Sequence, residues 1–250
     1  MKKLLLPVLL IAAFSLSFVQ APSGVYKQAL DLIAQMKETQ AYPLLLDAAA
    51  KEPKNVDVLC DLAYYAAREG NRQKDTKARD KKFITSKYYA EQAVKLAPNN
   101  AEAQYVYSVA LGRMALVASS SEKVKMSRQI YEIIQKALKL NPNHAGAWHA
   151  LGKWNYEVCE LSFVEKAAVD YLFGGLPTGD MKTSLNAFKK SITLNPGMMI
   201  YRYDYAVALE ANDQEKEAIA VMKQILSMKQ ITQDDAGIQA DAKRMIDKWS

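Results

Sequence analysis

Cysteine, glycine and proline are all scarce in this 250-residue chain, with 2, 10 and 8 residues respectively. Two cysteines exclude a small domain stapled by disulfides. So few turn formers exclude an all-β chain, which needs turn residues at short, regular intervals. Histidine is equally rare, His144 and His149 being the two. No Asn-x-Ser/Thr sequon occurs, so nothing points to a eukaryotic secreted glycoprotein. Neither sign of charge dominates: 33 Lys+Arg against 27 Asp+Glu leave a mildly basic +6. What is abundant is 50% hydrophobic residues, enough for a core and too many for a disordered chain. Ala, Leu, Lys, Gln, Glu and Met prevail, and these favour helix. The composition predicts an all-α chain of one or two domains and names no chemistry.

One long apolar run is present. Lys2 and Lys3 precede it, it extends from Leu4 to Val19, and Val19-Gln20-Ala21 puts small residues where a signal peptidase reads. At about 15 residues it is short of the roughly 20 that span a bilayer. The expectation is a cleaved signal peptide at 1–21 and a periplasmic or secreted bacterial protein, with an uncleaved inner-membrane anchor as the alternative. Pro22 is poorly tolerated after a cut at Ala21, so the cleavage position stays open.

The remainder is repetitive. Pro53, Pro98, Pro142 and Pro196 each end an amphipathic run, as in Lys136-Ala-Leu-Lys-Leu-Asn-Pro142 and Lys190-Ser-Ile-Thr-Leu-Asn-Pro196. Proline cannot continue a helix and suits the turn after one. Five residues before each proline stand Ala48, Ala93, Ala137 and Ser191; ten after stand Ala63, Ser108, Gly152 and Ala206. Small residues at both places let two antiparallel helices approach closely. Six after each proline, where a bulky residue is preferred, stand Leu59, Gln104, Trp148 and Arg202. The pattern resembles the tetratricopeptide repeat (TPR), a right-handed superhelix of helix pairs whose unit is about 34 residues. Here the prolines are 45, 44 and 54 residues apart. The surplus predicts enlarged loops between paired helices, at 71–82, about 117–123 and 173–181. One array results: a leading hairpin at 23–52, repeats at about 54–98, 99–142, 143–196 and 197–232, and a capping helix at 233–249.

A second resemblance is more specific. Leu151-Gly-Lys-Trp154-Asn-Tyr156-Glu-Val158, Leu161-Ser-Phe-Val-Glu165-Lys166 and Leu172-Phe-Gly174 with Pro177 resemble the ordered progression of the regulator of microtubule dynamics family. The likeness runs from about Val56 to the C-terminus. It implies a helical-repeat scaffold without catalysis, in a family whose eukaryotic members associate with microtubules and organelle membranes. An exported bacterial relative does not meet tubulin, so that partner is not carried over.

No chemistry-bearing constellation emerges. His144 and His149 are five apart and diverge by about 140° on a helix, which is not a metal-pair spacing. Cys159 lies ten residues past His149, about 15 Å along the axis, too far for a nucleophile–base pair. Ser120-Ser-Glu-Lys123 matches Ser-x-x-Lys without its partner motifs and reads as a helix N-cap. Phe173–Asp180 contains glycines but lacks the Gly-Lys-Ser/Thr ending of a phosphate loop. No enzyme, cofactor or metal site is expected, and no nucleic-acid partner.

Two binding surfaces are candidates. The first is the concave face, lined in such arrays by the leading helix of each pair. The positions seven, eleven and fourteen past the prolines supply Tyr64, Tyr105, His149, Lys153, Tyr156 and Tyr203, suited to stacking on and hydrogen-bonding a protein or peptide partner. The second is the basic stretch Arg72, Lys74, Lys77, Arg79, Lys81 and Lys82, which fits a membrane-associated adaptor at an anionic surface. A non-catalytic periplasmic scaffold binding through the concave face is the favoured function; the adaptor and a cytoskeleton-binding protein are the alternatives.

Overall fold

The computed structural model describes residues 24–249; the expected export segment at 1–21 lies outside them. Among the described residues the chain is helical without strands. A first hairpin is formed by α1 (Gly24–Ala34) and α2 (Glu38–Lys51). Four antiparallel pairs follow. They are α3 (Val56–Arg72) with α4 (Thr76–Leu96), α5 (Ala101–Ala115) with α6 (Ser120–Leu140), α7 (Ala145–Cys159) with α9 (Met181–Leu194), and α10 (Met199–Glu210) with α11 (Glu215–Leu226). A short α8 (Phe163–Phe173) is inserted in the third pair, and α12 (Asp235–Trp249) packs on α10 and α11. The chain is an all-α, TPR-like superhelix.

The small residues explain the pairing. Ala63, Ala93, Ala137, Ala206 and Ser191 are fully covered, and Ser108 nearly so. At Gly152 the approach leaves no room for a side chain: a Cβ there would lie 2.8 Å from the Phe188 ring of α9. Two equivalent serines cross-link the pairs, Ser86 Oγ donating to the Ala63 carbonyl and Ser184 Oγ to the Gly152 carbonyl, each at 2.7 Å. The column six past the prolines has a different logic from the expected bulk. Gln104 Nε2 donates to the Pro98 carbonyl at 2.8 Å and Trp148 Nε1 to the Pro142 carbonyl at 2.7 Å, while Arg202 donates to the Pro196 carbonyl. In these three repeats the shared feature is an N–H donor that satisfies the carbonyl exposed where the preceding helix ends, while Leu59 of the first repeat is buried bulk, as expected.

The enlarged loops predicted at 71–82 and 117–123 are corrected by the structure. Only residues 73–75 separate α3 from α4, and 116–119 separate α5 from α6. The surplus instead lengthens α4 and α6 to 21 residues each. Asp75 starts α4 by accepting from Ala78 N, and Ser119 starts α6 in a reciprocal capping box with Glu122. Charge-rich first turns without apolar periodicity read as loop, yet caps of this strength begin a helix there. Only the third unit keeps an irregular insertion. Gly174 and Gly175 take positive φ values of 72° and 79°, ending α8, and Arg128 of α6 donates to the carbonyls of Phe173 and Gly175.

Burial follows the winding. One apolar cluster runs from Tyr26 to Ala187, and a second begins at Phe188 and ends at Trp249, so α9 carries both. The leading helices α3, α5, α7 and α10 touch in succession and make the inner wall. The winding also brings its two ends together. Thr39 N donates to Gln233 Oε1 at 2.9 Å, and Arg72 Nε pairs with Asp234 at 2.6 Å, across 162 residues of sequence. Arg68 reaches the same Asp234 at 2.8 Å and Glu38 at 2.7 Å, and Arg72 also meets Glu38 and Glu69. Glu38 and Glu69 are buried, so the α2–α3 side of this clasp is shielded from solvent, while Asp234, on the approach to α12, is partly exposed.

Candidate functional site

The inner wall is built from one turn of each leading helix. Tyr64 of α3 has its ring centroid 6.4 Å from Tyr105 of α5 and 5.3 Å from Tyr65. Tyr105 is 9% exposed; its ring lies 4.8 Å from His144 and over Gly146, where a Cβ would fall 2.5 Å from the ring. His149 of α7 stacks on Tyr201 of α10 at 4.6 Å and approaches Phe188 at 5.6 Å. Its Nε2 is 2.8 Å from Asp204 Oδ2, while Lys153 Nζ is 3.5 Å from Asp204 Oδ1 and 3.2 Å from Glu157.

The electrostatics are set by enclosure. Burial raises the Asp204 carboxyl, but the His149 hydrogen bond and the Lys153 charge outweigh it and hold the pKa below the usual range. Burial pushes the Tyr105 hydroxyl well up. Arg113, near the end of α5, is held below its ordinary value by burial, against the opposing charge of Asp204. Asp61 of α3 is pushed up to about 6, chiefly by burial, with Glu102 and Asp57 adding to the rise and the Tyr26 hydrogen bond opposing it. Tyr26 donates that bond at 2.7 Å.

A cleft of about 400 Å³ on the inner wall is lined by Tyr64, Tyr65, Tyr105 and Tyr201 together with Asp61, Glu102 and His144. His144 is the N-cap of α7, its Nδ1 accepting from Ala147 N at 3.1 Å. With that nitrogen engaged as acceptor, Nε2 carries the proton donated to Glu102 at 2.9 Å.

Of the residues expected on the concave face, Tyr64 and Tyr105 line this cleft, and His149 stands behind its Tyr201, stacked on that ring. Lys153 joins through Asp204, with Tyr156 beside it, the ring centroid 5.4 Å from Nζ. Tyr203 is half-buried against the α12 side, facing Asp241 and Arg244 as well as Asp204. Tyr201 was not anticipated. It stands five past Pro196, where the other repeats have Val58, Ala103 and Ala147. A tyrosine in a column of small residues is the signal that could have found it. Asp61 and Asp204 stand eight past their prolines, next to a column used, whereas Glu102 stands four past Pro98, outside them.

The basic stretch is not one surface. Arg72 turns inward to the clasp, Arg79 pairs with Asp80 at 3.0 Å, and Lys82 sits 3.7 Å over the Tyr42 ring. Lys74, Lys77 and Lys81 remain exposed. Ser120–Lys123 forms the first turn of α6, beginning one residue after the cap at Ser119. Cys60 and Cys159 are free thiols. Among the described residues, no three His, Cys, Asp or Glu side chains are grouped to hold a metal ion, and no helix is long and apolar enough to cross a membrane.

The family profile described as Regulator of microtubule dynamics protein 1-3 matches residues 25–250. The chain belongs to this family. Among curated members of the regulator of microtubule dynamics family, protein 3 of Xenopus laevis is 30% identical over 122 residues, covering 48% of this chain and 26% of that protein. Protein 3 of Bos taurus is 28% identical over 166 residues, 65% of this chain and 35% of that protein. Protein 2 of Macaca fascicularis is 23% identical over 217 residues, 86% and 52% respectively. The chain thus spans about half or less of these relatives' length. Among solved structures, a thermophilic TPR protein of Thermus thermophilus superposes with a TM-score of 0.65 at 16% identity, covering 90% of this chain and 99% of that one. That likeness speaks to the fold.

Proposed function

We propose that this member of the regulator of microtubule dynamics family is a non-catalytic scaffold that receives an extended segment of a protein partner on its concave face. One observation carries the reading: side chains from four successive leading helices, Tyr64, Tyr105, His149 and Tyr201, meet beside an open cleft. Tyrosine presents a wide apolar face and a hydroxyl at little entropic cost, which suits recognition of a peptide. The export pattern at 1–21 supports a periplasmic setting. An epitope-tagged chain should then fractionate with the periplasm and lack its first residues by mass spectrometry.

The test of the concave face uses Tyr64→Ala with Tyr203→Ala. Tyr105 is unsuitable, because its ring fills the space above Gly146. Partners captured from the periplasm should fall at least tenfold with an unchanged circular-dichroism spectrum. Equal recovery would remove the concave face from consideration. Family membership favours a cytoskeletal partner as a second reading. Co-sedimentation of the chain with polymerised tubulin, together with retention in the cytoplasm, would establish it in place of the first.

A further inference from the structure

The inner-wall cleft has a composition that selects by charge. Its walls are the rings of Tyr64, Tyr65, Tyr105 and Tyr201, and its ionic groups are the carboxylates of Asp61 and Glu102. No lysine or arginine lines it. Asp61 receives one hydrogen bond from Tyr26, and Glu102 receives one from a His144 ring whose other nitrogen is an acceptor. Both contacts orient a carboxylate without neutralising it. Two cations lie nearby. Arg68, held by Glu38 and Asp234 in the clasp, also donates to the Tyr64 hydroxyl at 3.4 Å, with its guanidinium carbon 5.7 Å from that ring's centroid. The buried Arg113 faces Tyr64, Tyr105 and Asp204.

Aromatic faces and carboxylates favour the same kind of guest. A cation over a tyrosine face is attracted by the ring quadrupole. Guanidinium adds flat stacking and a fork of N–H donors that matches carboxylate geometry, which an ammonium lacks. The cleft is open at the surface, so a side chain can enter while its backbone stays on the inner wall. We propose that this cleft is a subsite for an arginine side chain presented by an extended partner peptide. The inference rests on the concave-face reading above and gives the partner's chemistry. Burial, with the Glu102 and Asp57 charges adding to it, raises the Asp61 carboxyl, and a guanidinium beside it would act in the opposite direction.

The experiment is fluorescence anisotropy with a set of extended hexapeptides carrying arginine, its neutral isostere citrulline, or glutamate at the centre, across varied flanks. The proteins are wild type, Asp61→Asn, Glu102→Gln and the double variant, with circular dichroism as the check on folding. Glu102 is exposed, so Glu102→Gln keeps the test available should Asp61→Asn disturb the fold. Arginine peptides should bind wild type at least tenfold more tightly than citrulline peptides, and the double variant should erase that difference. Equal affinity, a preference for glutamate, or a preference for arginine that survives in the double variant would overturn the subsite. If peptides bind whatever their central residue and lose affinity in Tyr64→Ala with Tyr203→Ala, the concave-face reading stands and the arginine subsite falls. If no peptide binds, both fall.

Discussion

At Gly152 and Gly112 the same substitution should have opposite signs, because the space around the two glycines differs. A Cβ on Gly152 meets the buried Phe188 ring at 2.8 Å, whereas one on Gly112 meets nothing within 4 Å. Gly152→Ala should destabilise by about 1–3 kcal/mol through overpacking. Gly112→Ala should stabilise by about 0.5–1 kcal/mol through helix propensity alone. Urea unfolding followed by circular dichroism measures both. Asp61 gives a pH-dependent case. Its folded pKa, about 6, exceeds the ordinary 3.8, so its stabilising contribution is complete below about pH 4 and is lost as pH rises through 6. Asp61→Asn keeps an acceptor for Tyr26 and cannot ionise. The variant should exceed wild type in stability by about 1–3 kcal/mol at pH 7.5 and match it at pH 4. A constant difference across that range would show that burial of the charge is not the cause.

Helices, as elements, divide into those held by packing and one held mainly by its ends. α8 has no buried residue, and Phe163, Val164, Tyr171 and Leu172 are all exposed. An 11-residue helix is marginal by itself. The Ser162–Glu165 capping box and the left-handed Gly174 therefore hold it. Ser162→Ala should accelerate amide exchange across 163–173, at a local cost of about 1 kcal/mol, and leave the global urea midpoint in place. Exchange that stays slow would mean that α8 is held by contacts instead. The same distinction explains what was legible in the sequence. Prolines 53, 98, 142 and 196 marked the pairs, and the small columns marked their crossings, because close approach constrains residue type directly. Turn lengths were not legible, since one cap at Asp75 or Ser119 converts a charged stretch into helix. The donor column at Gln104, Trp148 and Arg202 was obscured because three dissimilar side chains make the same bond. Much of the inner wall was visible at fixed offsets from the prolines. Tyr201 was hidden because the winding, rather than the helix register alone, turns it toward His149.

For the molecule as a whole, the clasp changes what kind of array this is. Nothing in local periodicity links Arg72 to Asp234, so the closure had no sequence signature. Arg72→Met would leave Glu38 and Glu69 buried without that cation, and should cost about 3–5 kcal/mol. Asp234→Ala removes the half-exposed partner and should chiefly loosen the closure, seen as an increased radius of gyration in small-angle scattering. An unchanged radius would show that packing alone sets the curvature. An open solenoid gains or loses units freely, because each unit interacts only with its neighbours. Here a further helix pair would displace the residues before α12 by about 10 Å or more and pull Asp234 away from both arginines. A change in copy number would therefore break the clasp, so substitution along the inner wall is the route to diversity that leaves the closure intact.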